Sequence, residues 1–553
     1  MELVTGLFFV VIAAVIGGIL AKLLKLPNLI GYIVAGVIIG AILPENLKSV
    51  SSLAGIGTIL LLFSIGVELS LDRLTKFFKI AVFGALLQIA VVALVSYLFL
   101  VFFGMNPIAS LILSLGFSIS STAVLVNILG GRGEMDTIHG GIMFSWSLVQ
   151  DLAVIPIMVV LPVLSLSGGG IWGAVGFSII KASLVIVTVV VSGKLIVPYI
   201  LKFVAEVNSR ELLLLTSVGL ALGTAAITSM FGISPALGAF LAGVVISESQ
   251  EHHAVFSEIR PLRDLFVALF FVTLGFLVTP SVIIAKLPLI IAVTFLVIIL
   301  KTVVVFLISA SFGFKGRTGI ANAFGLAQVG EFAFVIFSAA MALNLLTPVD
   351  TSIGITVTLL TLIISPLLFD NVVPFWRWAR KFKLFSGGEK RDFVLEDFSD
   401  HIIICGYGRV GKWVGRALSG FGIPFVVVEY NQKVVNELKE GGISVLYGDP
   451  TEPEVLEAVG IRNAKAVILA IPDRVAQETL IAYTQSVAPN VKIISRAHLD
   501  SDWEKLKTLR VDKIVQPEFE AAIEIIRSVL SSRGKGRDEI SEAVKSLRVS
   551  HSK

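Results

Sequence analysis

Between Leu3 and Trp376 the chain is a succession of apolar runs separated by short polar loops. About 20 apolar residues span the hydrocarbon of a bilayer as a helix. Inside that hydrocarbon every backbone group must be satisfied within the protein, which leaves helices or closed barrels. The runs fall near 3–24, 29–43, 51–69, 77–103, 106–129, 139–164, 171–201, 211–229, 233–247, 261–278, 281–312, 317–343 and 349–376, giving thirteen expected spans. The second and ninth are short and are read as spans from the pattern of their neighbours. Only 15% of residues are charged, against about 25% in soluble domains, and they gather after residue 376. The first run lacks a charged leader and a small-residue cleavage site, so it reads as a retained span.

Basic residues fix an orientation. Alternate loops carry Lys22 and Lys25, Arg73, Lys76 and Lys79, Arg132, Lys202 and Arg210, Arg260 and Arg263, and Lys315 and Arg317, while the opposite loops carry almost only Lys48. By the positive-inside rule the N-terminus lies outside and the C-terminal part in the cytoplasm, and the expected location is the plasma (inner) membrane. The single cysteine, Cys405, excludes internal disulfides and fits a reducing compartment.

The membrane part echoes itself. Residues 27–40, PNLIGYIVAGVIIG, match 235–247, PALGAFLAGVVIS, and 61–70, LLFSIGVELS, match 270–279, FFVTLGFLVT. Partners lie seven spans apart, so the halves are expected to be inverted. Inverted repeats with broken helices at the midplane are a signature of secondary transporters.

Asp151 sits near the middle of the sixth run, HGGIMFSWSLVQDLAVIPIMVVLPVL. A carboxylate at that depth costs at least about 2.5–3.5 kcal/mol, and such residues mark ion or proton paths. Gln150 adjoins it, Ser147 lies one turn earlier on the same face, and Pro156 removes a backbone donor one turn later. In the fifth run FSISSTAVL brings Ser118, Ser120, Ser121 and Thr122 together. Its repeat partner, the twelfth run, holds GLAQVGEF with Glu331. Hydroxyls and glycines clustered at membrane depth predict interrupted helices whose freed carbonyls can meet a cation. The candidate ion and proton ligands are Asp151, Gln150, Ser147, Ser121 and Thr122. Glu331 either touches the ion or neutralises helix ends and a lysine. Lys301 is a candidate counter-charge to Asp151 or Glu331, with Lys181 and Lys194 as competitors. In the connection 248–264 the adjacent His252 and His253 do not share a helix face, which argues against a metal there.

The grammar changes after a polar linker, 379–399. HIIICGYGRVG at 401–411 runs an apolar strand into Gly406-x-Gly408-x-x-Gly411, then a helical run, then FVVVEY ending on the acid Glu429. Strand, glycine turn, helix, strand and acid make the dinucleotide fingerprint, with phosphates at the helix N-terminus and ribose on the acid. Further strands at 444–449, 464–471, 491–497 and 511–517 predict a six-stranded doubly wound sheet. Candidate nucleotide contacts are Gly406, Tyr407, Gly408, Arg409, Val410, Gly411, Glu429 and Asp449. The expected layout is a membrane domain at 1–378, the linker, a nucleotide-binding domain at 400–532 and a basic, mobile tail at 533–553.

The Gln150-Asp151 pair, the Ser120-Ser121-Thr122-Ala123 stretch and the stretch Gly330 to Phe334 resemble Kef-type members of the cation:proton antiporter-2 superfamily. Residues 401–530 resemble a TrkA-N, or regulator-of-potassium-conductance, N-lobe. The two domains in this order cover nearly the whole chain. The resemblance implies an α-helical polytopic membrane domain with broken crossing helices, followed by an α/β Rossmann-like domain. It implies K⁺/H⁺ exchange by a homodimer paired through membrane and cytosolic domains and controlled by an adenine nucleotide, AMP, ATP or NAD(H). An ancillary regulatory subunit is a candidate partner. No metal cofactor and no nucleic acid are expected. A Na⁺/H⁺ antiporter is the rival reading. A nucleotide-gated potassium channel would need a carbonyl filter of the TVGYG type, which the membrane part lacks. An oxidoreductase would need a catalytic domain, for which the chain after the nucleotide fold is too short.

Overall fold

The computed structural model describes residues 2–24, 26–42, 48–68, 77–132, 134–135, 137–164, 171–207, 209–231, 234–379, 399–429, 432–451, 453–497 and 500–552. Two compact units emerge, one of residues 1–128 and 141–385 and one of residues 129–140 and 386–553. The linker 379–399 lies almost wholly outside the described residues, as does the side chain of Glu68.

Among its described residues the first unit is helical apart from its loops. Its elements are α1 (Glu2–Leu23), α2 (Asn28–Ile42), α3 (Lys48–Glu68), α4 (Phe78–Phe102), α5 (Pro107–Ser118), α6 (Thr122–Gly131), α7 (Ile138–Leu164), α8 (Ile171–Glu206), α9 (Arg210–Met230), α10 (Pro235–Ser247), α11 (His252–Gly275), α12 (Pro280–Ala285), α13 (Leu287–Ser311), α14 (Gly316–Gly325), α15 (Phe332–Ala342), α16 (Pro348–Asp370) and α17 (Val372–Ala379). Every expected span corresponds to one helix or to two helices end to end. Among the described residues eight spans are long and apolar enough to cross a membrane, and α2, α3, α10 and α15 supply shorter apolar stretches. The connection 248–264 is mostly helix, since α11 begins at His252 and runs through Pro261.

The internal repeat has a packing consequence. A methyl group on Gly36 of α2 would overlap the Val272 carbonyl of α11, and one on Gly275 of α11 would overlap Ile33 and Val37 of α2. The equivalent positions, Gly243 of α10 and Gly66 of α3, meet in the same way against Phe63 and Phe240. Each repeat therefore contributes one helix to each of two crossings, and glycine lets the backbones touch. Close approach at small residues is how helices associate where lipid removes the hydrophobic drive.

Two spans break where the serine and glycine clusters fall. Asn106 starts α5 by accepting from Ile108 N and Ala109 N. The helix stops at Ser118, where Ile119 turns extended, and α6 resumes at Thr122. Likewise α14 ends at Gly325 and α15 begins at Phe332.

The second unit holds a six-stranded sheet in the order β3-β2-β1-β4-β5-β6, every neighbouring pair parallel. The strands are β1 (Ile402–Cys405), β2 (Phe425–Glu429), β3 (Val445–Tyr447), β4 (Ala466–Leu469), β5 (Lys492–Arg496) and β6 (Lys513–Val515). All six expected strands are present. Their alternate residues feed two cores, Ile403, Cys405 and Val428 on one face and Ile404 and Val427 on the other, as a parallel sheet covered on both sides requires. The helices are α18 (Arg409–Gly420), α19 (Gln432–Glu440), α20 (Pro453–Ala458), α21 (Arg474–Val487), α22 (Asp500–Thr508), α23 (Pro517–Ser532) and α24 (Arg537–Ser552). The tail expected to be mobile forms α24, which packs on α23 with Arg548 paired to Glu520 at 2.6 Å. Its acids in the first turn, Asp538 and Glu539, suit a helix N-terminus.

Candidate functional site

The two breaks cross each other inside the first unit. Gly330 N donates to Ile119 O at 2.9 Å, and Ser120 Oγ donates to Leu326 O at 2.9 Å. A Cβ on Gly330 would lie 2.7 Å from the Ser120 carbonyl carbon, so only glycine fits the crossing point. Each interrupted helix leaves orphan carbonyls at its end. Lys301 of α13, fully buried, donates to Gln328 O at 2.6 Å, Ile119 O at 3.1 Å and Phe117 O at 3.4 Å. The lysine thus braces the broken ends with its Nζ donors. It does not pair with Asp151 or Glu331, as the sequence reading had offered, because three carbonyls already take its donors. Lys194, one of the competitors, instead meets Glu248 at a half-exposed site, 2.8 Å away.

Around the crossing the polar groups interlock. Gln150 Oε1 accepts from Ser120 N at 2.8 Å, and its amide donates to Gln88 Oε1. Gln88 of α4 donates in turn to Ser118 O at 2.8 Å, capping the end of α5. Ser121 Oγ donates to Glu331 and accepts from Val124 N, so Glu331 is tied to the start of α6. Gln328 reaches Ser121 O at 3.3 Å, and Thr361 Oγ accepts from Val329 N at 3.0 Å. Gln88 and Thr361 escaped the sequence reading. A lone glutamine inside the apolar fourth run was the available signal for the first.

Asp151 stands beside this lattice. Thr122 Oγ1 donates to Asp151 Oδ2 at 2.7 Å, and Asp151 is 3% exposed. Its other oxygen, Oδ1, is buried without a hydrogen-bond partner. A buried carboxylate oxygen left open is costly unless a cation or a proton meets it. Ser147 is also buried, yet its hydroxyl donates back to Met143 O and Phe144 O on its own helix. Its oxygen retains lone pairs but its proton is spent. Asp151, Thr122, Ser121 and Gln150 are therefore gathered at one crossing, while Ser147 lies on the same helix with its hydroxyl turned to the backbone.

In the second unit the fingerprint folds as its residue types require. Gly406 has φ +91°, and Gly411 packs against the Gly406 carbonyl. Gly408 is the N-cap of α18. Glu429, at the end of β2, accepts from Tyr407 N at 2.7 Å. Asp449 holds the turn after β3 through Thr451 N at 2.9 Å and Thr451 Oγ1 at 2.7 Å. Arg409 and Gly408 are exposed and Val410 is half-buried. The glycine turn, Glu429 and Asp449 thus stand at the C-terminal ends of β1, β2 and β3, where open α/β sheets bind ligands.

A helical bundle with crossed broken helices and a buried acid, joined to a doubly wound nucleotide-type fold, defines a cation-coupled secondary transporter with a soluble C-terminal domain. Residues 10–370 match the sodium/hydrogen exchanger transmembrane family, and residues 402–517 match the TrkA-N domain. The chain is 33% identical over 537 residues to the putative cation/proton antiporter YbaL of Escherichia coli K12, covering 94% of this chain and 96% of that one. It is 32% identical to the glutathione-regulated potassium-efflux system protein KefC of an Enterobacter species, covering 98% and 86%. The sodium proton antiporter MjNhaP1 of Methanocaldococcus jannaschii shares the fold of the membrane part, with a TM-score of 0.55 at 18% identity over 70% of this chain and 100% of that one. The chain belongs to the sodium/hydrogen exchanger family, as a Kef-type cation/proton antiporter carrying a C-terminal TrkA-N domain. It is a multi-pass membrane transporter of cations and protons, not an enzyme.

Proposed function

We propose that this protein exchanges K⁺ for H⁺ at Asp151 and that an adenine nucleotide on the TrkA-N domain controls the exchange. The observation that carries the reading is the open Oδ1 of a buried Asp151 beside two crossed helix breaks. Deprotonated, the carboxylate attracts a partly dehydrated cation, with Thr122, Ser121, Gln150 and Ser147 as neighbouring oxygen donors. Protonated, it is neutral and recrosses carrying the proton in place of the cation. Cation and proton exclude each other at one carboxylate, which couples their fluxes without a further device. Glu331 and Lys301 support the site by holding the broken ends. Potassium as the ion rests on the similarity to KefC, whose designation is a potassium-efflux system.

On this reading residues 1–378 form the exchanger, 379–399 the linker, 400–532 the nucleotide-binding domain and 533–553 the tail. The N-terminus faces outside the inner membrane and the nucleotide fold faces the cytoplasm. The working unit is a homodimer, with an ancillary subunit as a further partner. AMP, ATP or NAD(H) would lie over Gly406, Tyr407, Gly408, Arg409, Val410 and Gly411, with Glu429 taking the ribose hydroxyls and Asp449 beside it. The nucleotide can bias transport only by its differential affinity for the conformations.

The test is proton flux in proteoliposomes, with K⁺ and Na⁺ offered separately. K⁺ should drive flux in the wild type, and Asp151→Asn should abolish it while the protein still elutes as a folded species. Near-normal exchange by Asp151→Asn removes the site assignment, and flux driven by Na⁺ alone gives the exchange to sodium.

A further inference from the structure

The second unit contains a cluster that neither exchange nor nucleotide binding uses. Its short segment 129–140 is tightly turned: Glu134 N donates to Leu129 O at 2.9 Å, Thr137 N donates to Glu134 O at 3.1 Å, and Thr137 Oγ1 donates to the same carbonyl at 2.7 Å. Thr137 then accepts from Gly140 N, which starts α7 and sets His139 in its first turn. The His139 Nε2 and Glu134 Oε2 atoms are 3.0 Å apart. Asp473 lies within the same cluster as the N-cap of α21, its Oδ1 accepting from Ala476 N at 3.0 Å. One ligand atom from each of the three side chains falls within 4.8 Å of the other two, and each residue is 6% exposed.

We propose that Glu134, His139 and Asp473 form a binding site for one divalent first-row metal ion, with Zn²⁺ as the probe. One imidazole and two carboxylates are a zinc-type donor set, and three protein ligands leave a coordination position open. An ion such as Ca²⁺ takes six to eight oxygen ligands and suits the set less well. Bonds of about 2.0–2.2 Å hold neighbouring ligand atoms about 3.3 Å apart in tetrahedral geometry. The imidazole and Glu134 need only part by a few tenths of an ångström, and Asp473 swing inward. An ion here would hold Glu134 and His139, which lead into the helix carrying Asp151, to the β4–α21 turn. That turn is also where Ile471 packs on Gly406 of the nucleotide fingerprint. The sequence reading expected no metal cofactor and singled out none of the three; Glu134 and His139 lie five residues apart, and Asp473 is brought to them only by the fold.

The test uses the untagged full-length protein in detergent, stripped with chelator, loaded with Zn²⁺, desalted and analysed for metal by mass spectrometry. One zinc per chain is expected in the wild type. His139→Ala should lose it, and Asp473→Asn should lose most of it while keeping the helix cap, since Asn caps as well as Asp. Cobalt loading should give a visible absorption band in the wild type and none in His139→Ala. The double variant His252→Ala, His253→Ala removes the adjacent histidine rings, 3.9 Å apart, and should keep its zinc. A wild-type protein without stoichiometric zinc overturns the proposal. So does His139→Ala or Asp473→Asn retaining a full equivalent, or loss of zinc in the double variant.

Discussion

Replacing Lys301 by methionine separates the bracing of the crossing from the chemistry at Asp151. The substitution keeps the length of the side chain and removes its donors from the carbonyls of Gln328, Ile119 and Phe117. The contact to Phe117 O, at 3.4 Å, is near the limit of a hydrogen bond. Ile119 O keeps the Gly330 N–H at 2.9 Å, so Gln328 O is the acceptor left unsatisfied in a site with no exposure, at about 1–3 kcal/mol. At about 2 °C per kcal/mol, the low end of the range for larger domains, the apparent melting temperature should fall by about 4 °C. Thermal unfolding of the detergent-solubilised protein measures this directly. Lys194→Met is the control. It deletes a half-exposed pair with Glu248, and such pairs contribute only about 0–1 kcal/mol. A Lys301→Met protein melting within 2 °C of the wild type would refute the bracing argument.

Thr122→Ala should weaken apparent K⁺ affinity in proteoliposomes more than the maximum rate. Ser147→Ala should do so less, because its hydroxyl proton already serves Met143 and Phe144; a reversed order would move the ion towards Ser147. Glu429→Gln keeps an acceptor for Tyr407 N but loses the charge. Calorimetry on the full chain should show nucleotide affinity reduced by about 1.5–3 kcal/mol, and unchanged affinity would take Glu429 out of the ribose contact. Burial pushes the Cys405 thiol up to about 12, with the Asp449 carboxylate adding to the effect. The thiol therefore stays neutral at every pH below that value. At pH 8 only about one molecule in ten thousand would carry the reactive thiolate. Maleimide labelling should wait for unfolding, and rapid labelling of the native protein would contradict the buried position of β1.

What the sequence determined by itself is whatever physical chemistry enforces locally. Bilayer thickness fixes the length of an apolar run, so thirteen spans could be counted without coordinates. The glycine turn at 406–411 and the acid at Glu429 are set by backbone geometry and strand periodicity, so the nucleotide fold could be read in order. Even the broken helices were legible, because Ser120, Ser121 and Gly330 are poor choices for an unbroken span. Tertiary structure decided which polar groups find each other. Lys301 lies far along the chain from Ile119, and no local rule distinguishes a lysine that braces carbonyls from one that pairs with an acid. Gln88 looked like a single polar residue in an apolar run until packing set it between Ser118 and Gln150. Asp473 shows the same limit: only the fold brings it to Glu134 and His139, more than 300 residues away in the chain. A run's length and a turn's backbone are fixed by neighbours along the chain, whereas a buried polar group's partner is fixed by what packs against it.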